Sequence, residues 1–272
     1  MLGIFDSGLG GLTVVKEVLK HLPNRQIIYF GDTARVPYGN KSEEMIKKYA
    51  EEGVEFLLSK GAQIIILACN TMSAIAFETL KKKYDAPIFE VITPAVKKAV
   101  SVTKNGRIGV IGTRATIGSG VYEKKLKTTP SSDGVSASLR KFKIKVFSQS
   151  CPLFVPLAEE GWIEKSETEK IAKEYLKPLQ KAKVDTLILG CTHYPMLKKT
   201  IKKIMGAKVK IVDSAEEVAK EVAKFFETSG FSFSGTKQEC KIFVSDKTEA
   251  LENWIGAWLG GNAKVEKVVL KD

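Results

Sequence analysis

Two apolar runs that each end in a cysteine constrain this chain more than any other feature. Ile65-Ile66-Leu67-Ala68 leads into Cys69-Asn70-Thr71, and Leu187-Ile188-Leu189-Gly190 leads into Cys191-Thr192-His193, 122 residues later. Runs this short and this apolar suit strands buried on both faces, as in a parallel sheet covered by helices. The first strand is read over Gln63–Ala68 and the second over Thr186–Leu189. Ligands bind at the carboxyl ends of such strands, which is where both cysteines fall. Two thiols presented from two halves of a chain can face each other across a cleft. One thiol on each face of a carbon suits a reaction that takes a proton from one side and returns one on the other.

The rest of the chain alternates in the same way. Strands are read at Leu2–Phe5, Gln26–Phe30, Ile88–Val91, Lys143–Phe147, Val209–Val212, Ile242–Ser245 and Val265–Leu270, and Arg107–Thr113 reads as a strand and turn that echo the first. Between them, apolar residues at helical spacing predict helices at Leu12–Leu22, Met72–Lys83, Thr116–Leu126, Glu167–Gln180 and Tyr194–Ile204, with others opening near Asn40, Pro94 and Ser214. Asn40 and Glu43 have capping-box spacing. Thr128–Ser138, rich in Ser, Thr and Pro, reads as a loop. Strands alternating with helices give an α/β fold with largely parallel sheets. The pattern restarts near residue 105, so two similar α/β lobes are expected, facing each other across a cleft.

Charge marks where one lobe ends. The net charge is +12, yet Val96–Lys210 holds 24 Lys/Arg against 9 Asp/Glu, while the remainder holds 19 against 22. The expected lobes are therefore 1–95 plus 211–272, carrying Cys69, and 96–210, carrying Cys191. A basic surface attracts anions, nucleic acid included. The lysines here are dispersed and lack interleaved aromatics, so a solvated surface is the plainer reading and nucleic acid is not an expected partner. The abundance of Lys and Glu beside six Asn and five Gln hints at a thermophilic source.

No apolar run approaches the roughly 20 residues of a membrane span. The N-terminus reads as a first strand and not as a signal peptide. A cytoplasmic protein without a membrane partner follows. Its four cysteines have no paired spacing, no CxxC occurs and there are two histidines. Structural disulfides and a zinc site are thus not expected. Cys151 and Cys240 read as buried small hydrophobes, and His21 as a surface or C-capping residue.

Four further segments follow strands and can converge on one rim. They are Asp6-Ser7-Gly8-Leu9-Gly10-Gly11, Gly31–Gly39 (GDTARVPYG), Ile111–Thr116 (IGTRAT) and Cys151–Gly161 (CPLFVPLAEEG), all read as polar turns. The first lacks dinucleotide spacing. It reads either as a tight turn or as a turn whose N–H groups hold a carboxylate at a helix N-terminus. No Walker motif or Schiff-base lysine setting is present.

Together with ILACNTMSA and LGCTHYPML, and with FDSGLGGLTV near the start, these segments resemble the glutamate racemases of the aspartate/glutamate racemase family, over nearly the whole chain. GDTARVPYG and CTHYP favour the glutamate branch over racemases for aspartate and hydantoins. The resemblance implies a cofactor-independent isomerase that interconverts L- and D-glutamate for peptidoglycan, with no metal. It also implies a homodimer, the assembly many members adopt. Cys69 and Cys191 match the two acid/base thiols, the first acting on D-glutamate and the second on L-glutamate. Asp6 and His193 match their auxiliaries, and Glu159 an acidic residue near the second thiol. Ser7, Tyr38, Gly39, Asn70, Thr71, Thr113, Thr116 and Thr192 match positions that hold the substrate, with Asp6 and His193 beside them.

The chemistry agrees with those residue types. An amino-acid Cα–H is a very weak acid, so oriented donors must stabilise the carbanion. A free thiol titrates near ~8.5, and a helix N-terminus or an imidazolium favours its thiolate. A racemase for aspartate, a nucleic-acid-binding protein and a thiol redox protein are the competing readings. Turnover of L-aspartate, salt-sensitive DNA binding and a reversible disulfide would respectively mark them.

Overall fold

The computed structural model describes residues 1–130, 143–231, 239–249, 251–252, 255–256 and 265–270. The chain forms two compact units, Met1–Val91 with Val218–Asp272, and Ile92–Glu217. Each is built on its own parallel sheet, with the α/β alternation that the sequence predicts.

The first sheet starts with β1 (Leu2–Asp6), every residue of which is buried. Helix α1 (Leu12–His21) leads to β2 (Gln26–Gly31), and α2 (Glu43–Ser59) leads to β3 (Ile64–Leu67). Helix α3 (Asn70–Lys83) connects to β4 (Ile88–Glu90). The second sheet follows α4 (Ile92–Val102) and holds β5 (Arg107–Gly112), β6 (Lys145–Ser150), β7 (Thr186–Gly190) and β8 (Lys210–Asp213). Its helices are α5 (Arg114–Gly118), α6 (Val121–Thr128), α7 (Phe154–Glu159), α8 (Ser166–Lys181) and α9 (Lys198–Met205). Helix α10 (Ser214–Thr228) precedes β9 (Glu239–Val244) and β10 (Val265–Lys267), which extend the first sheet.

Strand order is β10-β9-β2-β1-β3-β4 in one sheet and β6-β5-β7-β8 in the other, and every strand pair runs parallel. The two orders share one logic. In each unit the chain steps from a first strand to one neighbour, then crosses to that strand's other side. The switch points are β1/β3 and β5/β7. Register makes the match residue by residue: Leu67 pairs with Phe5, and Leu189 with Ile111. Each leucine is followed by one small residue and then by the cysteine.

Apolar packing fixes both frames. Phe5, Phe30, Ile65, Leu67 and Met72 share one core with Ile46, Val54 and Leu57 of α2. Phe154, Leu176, Leu187, Leu189 and Tyr194 share another with Cys151. Burying an aliphatic side chain of this size contributes about 1.5–3 kcal/mol. Conversion of these interior leucines to Ala therefore costs about 2–5 kcal/mol.

Local chemistry moves several predicted boundaries. Ser42, not Asn40, caps α2, its Oγ accepting from Met45 N at 3.3 Å. Asn40 lies in the 3₁₀ turn Tyr38–Asn40. The helix predicted over 116–126 is two helices, because Gly120 takes φ +66 between α5 and α6. The segment read as a polar turn from Cys151 folds into α7 despite Pro156. The helix predicted from Tyr194 opens as a 3₁₀ turn, Tyr194–Leu197, with Pro195 near its start. Of the predicted loop at 128–138, residues 131–138 lie outside the described residues.

Candidate active site

In the first unit, the polar residues after β1, β2 and β3 lie at the carboxyl end of the sheet, around the β1/β3 switch point. Ala68 N donates to Phe5 O at 2.8 Å, so the strand ends that carry Asp6 and Cys69 are neighbours. Helix α3 starts at Asn70, two residues earlier than its apolar spacing predicts, which makes Cys69 the N-cap residue. The positive end of a helix dipole favours an anion at that position. Cys69 is 6% exposed, and Asn70 and Thr71 are buried beside it. Ser73 stays with the backbone, donating to Leu67 O at 3.1 Å.

Asp6 is fully buried, and its Oδ2 accepts from Gly8 N at 3.0 Å. The glycine turn thus gives an N–H to a carboxylate, and that carboxylate is the chain's own. The turn needs its glycines: a Cβ on Gly11 would stand 2.4 Å from Asp6 Cβ. Ser7 is half-buried next to it.

Tyr38 is set by a buried hub that the sequence reading did not single out, and Gly39 follows it in the 3₁₀ turn Tyr38–Asn40. Asp32 Oδ2 accepts from Tyr38 Oη at 2.5 Å and Arg35 Nε at 2.6 Å, and Oδ1 accepts from Ser245 Oγ at 2.8 Å. Arg35 also pairs with Glu52 and lies 3.9 Å over the Tyr49 ring. Burial and the Asp32 charge raise Tyr38 far above an ordinary phenol, so it remains a neutral donor.

In the second unit, Cys191 follows β7 and Thr113 follows β5, at the matching switch point. Thr113 caps α5, its Oγ1 accepting from Thr116 N at 3.1 Å and lying 2.9 Å from Thr116 Oγ1. Thr192 and His193 are buried. His193 Nδ1 stands 3.8 Å from Cys191 Sγ, and Nε2 stands 3.0 Å from Glu159 Oε1. Burial alone would lower this imidazole. The contacts with Cys191 and Glu159, and their charges, outweigh burial and raise it, which favours the imidazolium. Tyr194 Oη donates to Cys151 O at 2.8 Å, and this bond ties the segment that carries Glu159 to the one that carries His193.

Cys151 and Cys240 have other surroundings. Burial pushes both thiols up, Cys240 to about 12. Cys151 lies within an apolar core and Cys240 in strand β9, where each fills space. Among the described residues, no group of three or more His, Cys, Asp or Glu is placed to hold a metal ion. Nor is any helix among them long and apolar enough to cross a membrane.

The sequence pattern of the Asp/Glu/Hydantoin racemases matches residues 10–222. The chain belongs to that family. It is an isomerase, a racemase. A glutamate racemase of Geobacter metallireducens is 48% identical over 262 residues, covering 96% of this chain and 93% of that relative. The crystal structure of a glutamate racemase isoform of Bacillus anthracis superposes with a TM-score of 0.91 at 37% identity, over 99% of this chain and 97% of that one. A glutamate racemase of Francisella tularensis, solved in complex with D-glutamate, gives 0.86 at 36% identity, over 99% and 97%. The racemase described here has the α/β lobes, each on a parallel sheet, that the sequence predicts.

Proposed function

We propose that this racemase interconverts L- and D-glutamate without a cofactor, by proton transfer between Cα and two thiols, and that it supplies D-glutamate for peptidoglycan. The observation that carries this reading is the equivalence of Cys69 and Cys191. Each stands at the carboxyl end of the strand that makes its sheet's switch point, with small polar residues after it. The similarity to relatives named glutamate racemase favours glutamate over aspartate as substrate.

In this reading one thiol starts as thiolate and the other as thiol. The thiolate takes the α-proton from its face, and the opposite thiol returns one to the other face. The S–H bond that breaks leaves a thiolate, so each turnover exchanges the two states. Cys69 deprotonates D-glutamate and Cys191 deprotonates L-glutamate. Asp6 assists Cys69. His193, held as imidazolium by Glu159, assists Cys191. Hydroxyl, amide and backbone groups of Ser7, Tyr38, Gly39, Asn70, Thr71, Thr113, Thr116 and Thr192 hold the substrate, N–H and O–H donors on its carboxylates and oxygen acceptors on its ammonium, and the donors stabilise the carbanion where its charge develops. The reading extends to a cytoplasmic homodimer.

The test is circular dichroism of L-glutamate incubated with the purified chain and no added cofactor. The signal decays to zero if the reading holds. A stable signal with L-glutamate beside decay with L-aspartate would reassign the substrate.

A further inference from the structure

One buried hydroxyl beside the turn that follows β1 has no part in the mechanism above. Tyr29 pairs with Ile4 across β1/β2, and Gly31 pairs with Asp6. Residues two apart on a strand share a face, so Tyr29, Gly31, Ile4 and Asp6 lie on the same side of the sheet. The Tyr29 side chain is fully buried, and its hydroxyl donates to the carbonyl of Gly8 at 2.5 Å. The N–H of that same glycine donates to Asp6 Oδ2 at 3.0 Å.

Two missing side chains make room for this arrangement. A Cβ on Gly31 would stand 2.6 Å from Gly8 O, and a Cβ on Gly11 would stand 2.9 Å from Tyr29 Oη and 2.4 Å from Asp6 Cβ. The turn Gly8-Leu9-Gly10-Gly11 has little side-chain bulk of its own to fix it. Glycine adopts a wide range of φ and ψ, so a side chain that bonds the turn narrows the orientations of the two peptides that flank the Gly8 Cα. The Tyr29 hydroxyl holds one of them, and the other carries the N–H on Asp6. Burial, then the charges of Asp6 and Cys69, raise the phenol far above its ordinary range. It therefore stays a donor throughout the pH range of an assay.

We propose that Tyr29 is the positioning residue for Asp6, acting through the Gly8 peptide to hold the carboxylate at the Cys69 side of the reaction. The inference rests on the role given to Asp6 under the proposed function. A group that aims Asp6 lowers kcat more, when removed, in the direction that uses Cys69 as base, while kcat/KM falls equally in both directions because the equilibrium constant of a racemisation is one.

The experiment compares Tyr29→Phe, Asp6→Asn and the double variant, each assayed for kcat in both directions. The ratio of D-to-L kcat over L-to-D kcat is the readout, because it does not depend on how much of the enzyme is folded. Tyr29→Phe is expected to lower that ratio about tenfold, and to add little in the Asp6→Asn background, as coupled residues do. Incorporating 3-fluorotyrosine at position 29, which keeps the hydroxyl, should restore the ratio. An unchanged ratio in Tyr29→Phe, beside a lowered one in Asp6→Asn, would overturn the role of Tyr29 alone. Losses that multiply independently in the double variant would overturn it too. An unchanged ratio in Asp6→Asn would overturn the role of Asp6, and with it this inference.

Discussion

His193 faces Cys191 with one ring nitrogen, 3.8 Å from Nδ1 to Sγ, while the other ring nitrogen stands 3.0 Å from a carboxylate oxygen of Glu159. The carboxylate side chain is about a third exposed and the imidazole almost wholly buried, so the proton sits deep and its counter-charge reaches solvent. Such a dyad fixes both the ring's orientation and its protonation before substrate arrives.

Removing the counter-charge should weaken one direction of turnover. Glu159→Gln gives up a charge-assisted bond of about 1.5 kcal/mol, and kcat from L to D should fall about tenfold. His193→Asn should impair that direction further, and Asp6→Asn should impair D to L more. Initial-rate kinetics from each enantiomer measures this. Equal losses in both directions for all three variants would remove the division of labour.

The raised imidazole also gives stability a pH dependence. Folding favours the protonated ring. The contribution is therefore complete below the unfolded value near ~6.5, and it is lost as pH rises through the folded value of about 10. The difference in melting temperature between wild type and His193→Asn should be largest at about pH 6 and should shrink as the solution is made alkaline. A difference that widens with pH would contradict the assignment.

Asp32 collects Tyr38, Arg35 and Ser245 on one buried carboxylate. Asp32→Ala leaves all three donors without that acceptor. Arg35 keeps Glu52, so the loss of stability should be about 2–4 kcal/mol, toward the lower end for a broken buried pair. Tyr38→Phe, which removes one bond, should cost about 1 kcal/mol. Urea unfolding measures both, and equal losses would deny Asp32 its place as the hub.

The two cysteines away from the switch points should be dispensable for turnover. Cys151→Ala removes a small buried group, at on the order of 1 kcal/mol, and Cys240→Ala a half-buried one, at less than that. Both variants should keep nearly full activity with lowered melting temperatures. A large fall in kcat for either variant, with its fold intact, would assign it a chemical part.

Much of this fold was legible because its signals are local. Buried strands such as Ile64–Leu67 declare themselves as short unbroken apolar runs, and amphipathic helices such as α8 by their period. The placement of Cys69 and Cys191 at the ends of β3 and β7 was legible because each closes a short apolar run and is followed by polar residues, Asn-Thr or Thr-His. The break at Gly120 was not, because apolar spacing continues across it while the left-handed backbone is invisible to periodicity. The Asp32 hub was hidden by sequence distance: Ser245, 213 positions away, arrives only when β9 pairs with β2. Tyr29 looked like one more strand residue, since nothing in its neighbours reveals where its hydroxyl ends.

The central claim is that two thiols act at one Cα, and solvent deuterium tests it most directly. L-Glutamate is incubated in D₂O with wild type, Cys69→Ala and Cys191→Ala, and the α-proton is followed by NMR. Thiol protons exchange with solvent, so wild type should yield D-glutamate carrying deuterium at Cα. Each alanine variant should lose racemisation, by at least the ~10²–10⁴-fold that one acid/base group contributes. D-Glutamate that retains its α-proton, or an alanine variant that racemises at the wild-type rate, would contradict the two-thiol mechanism.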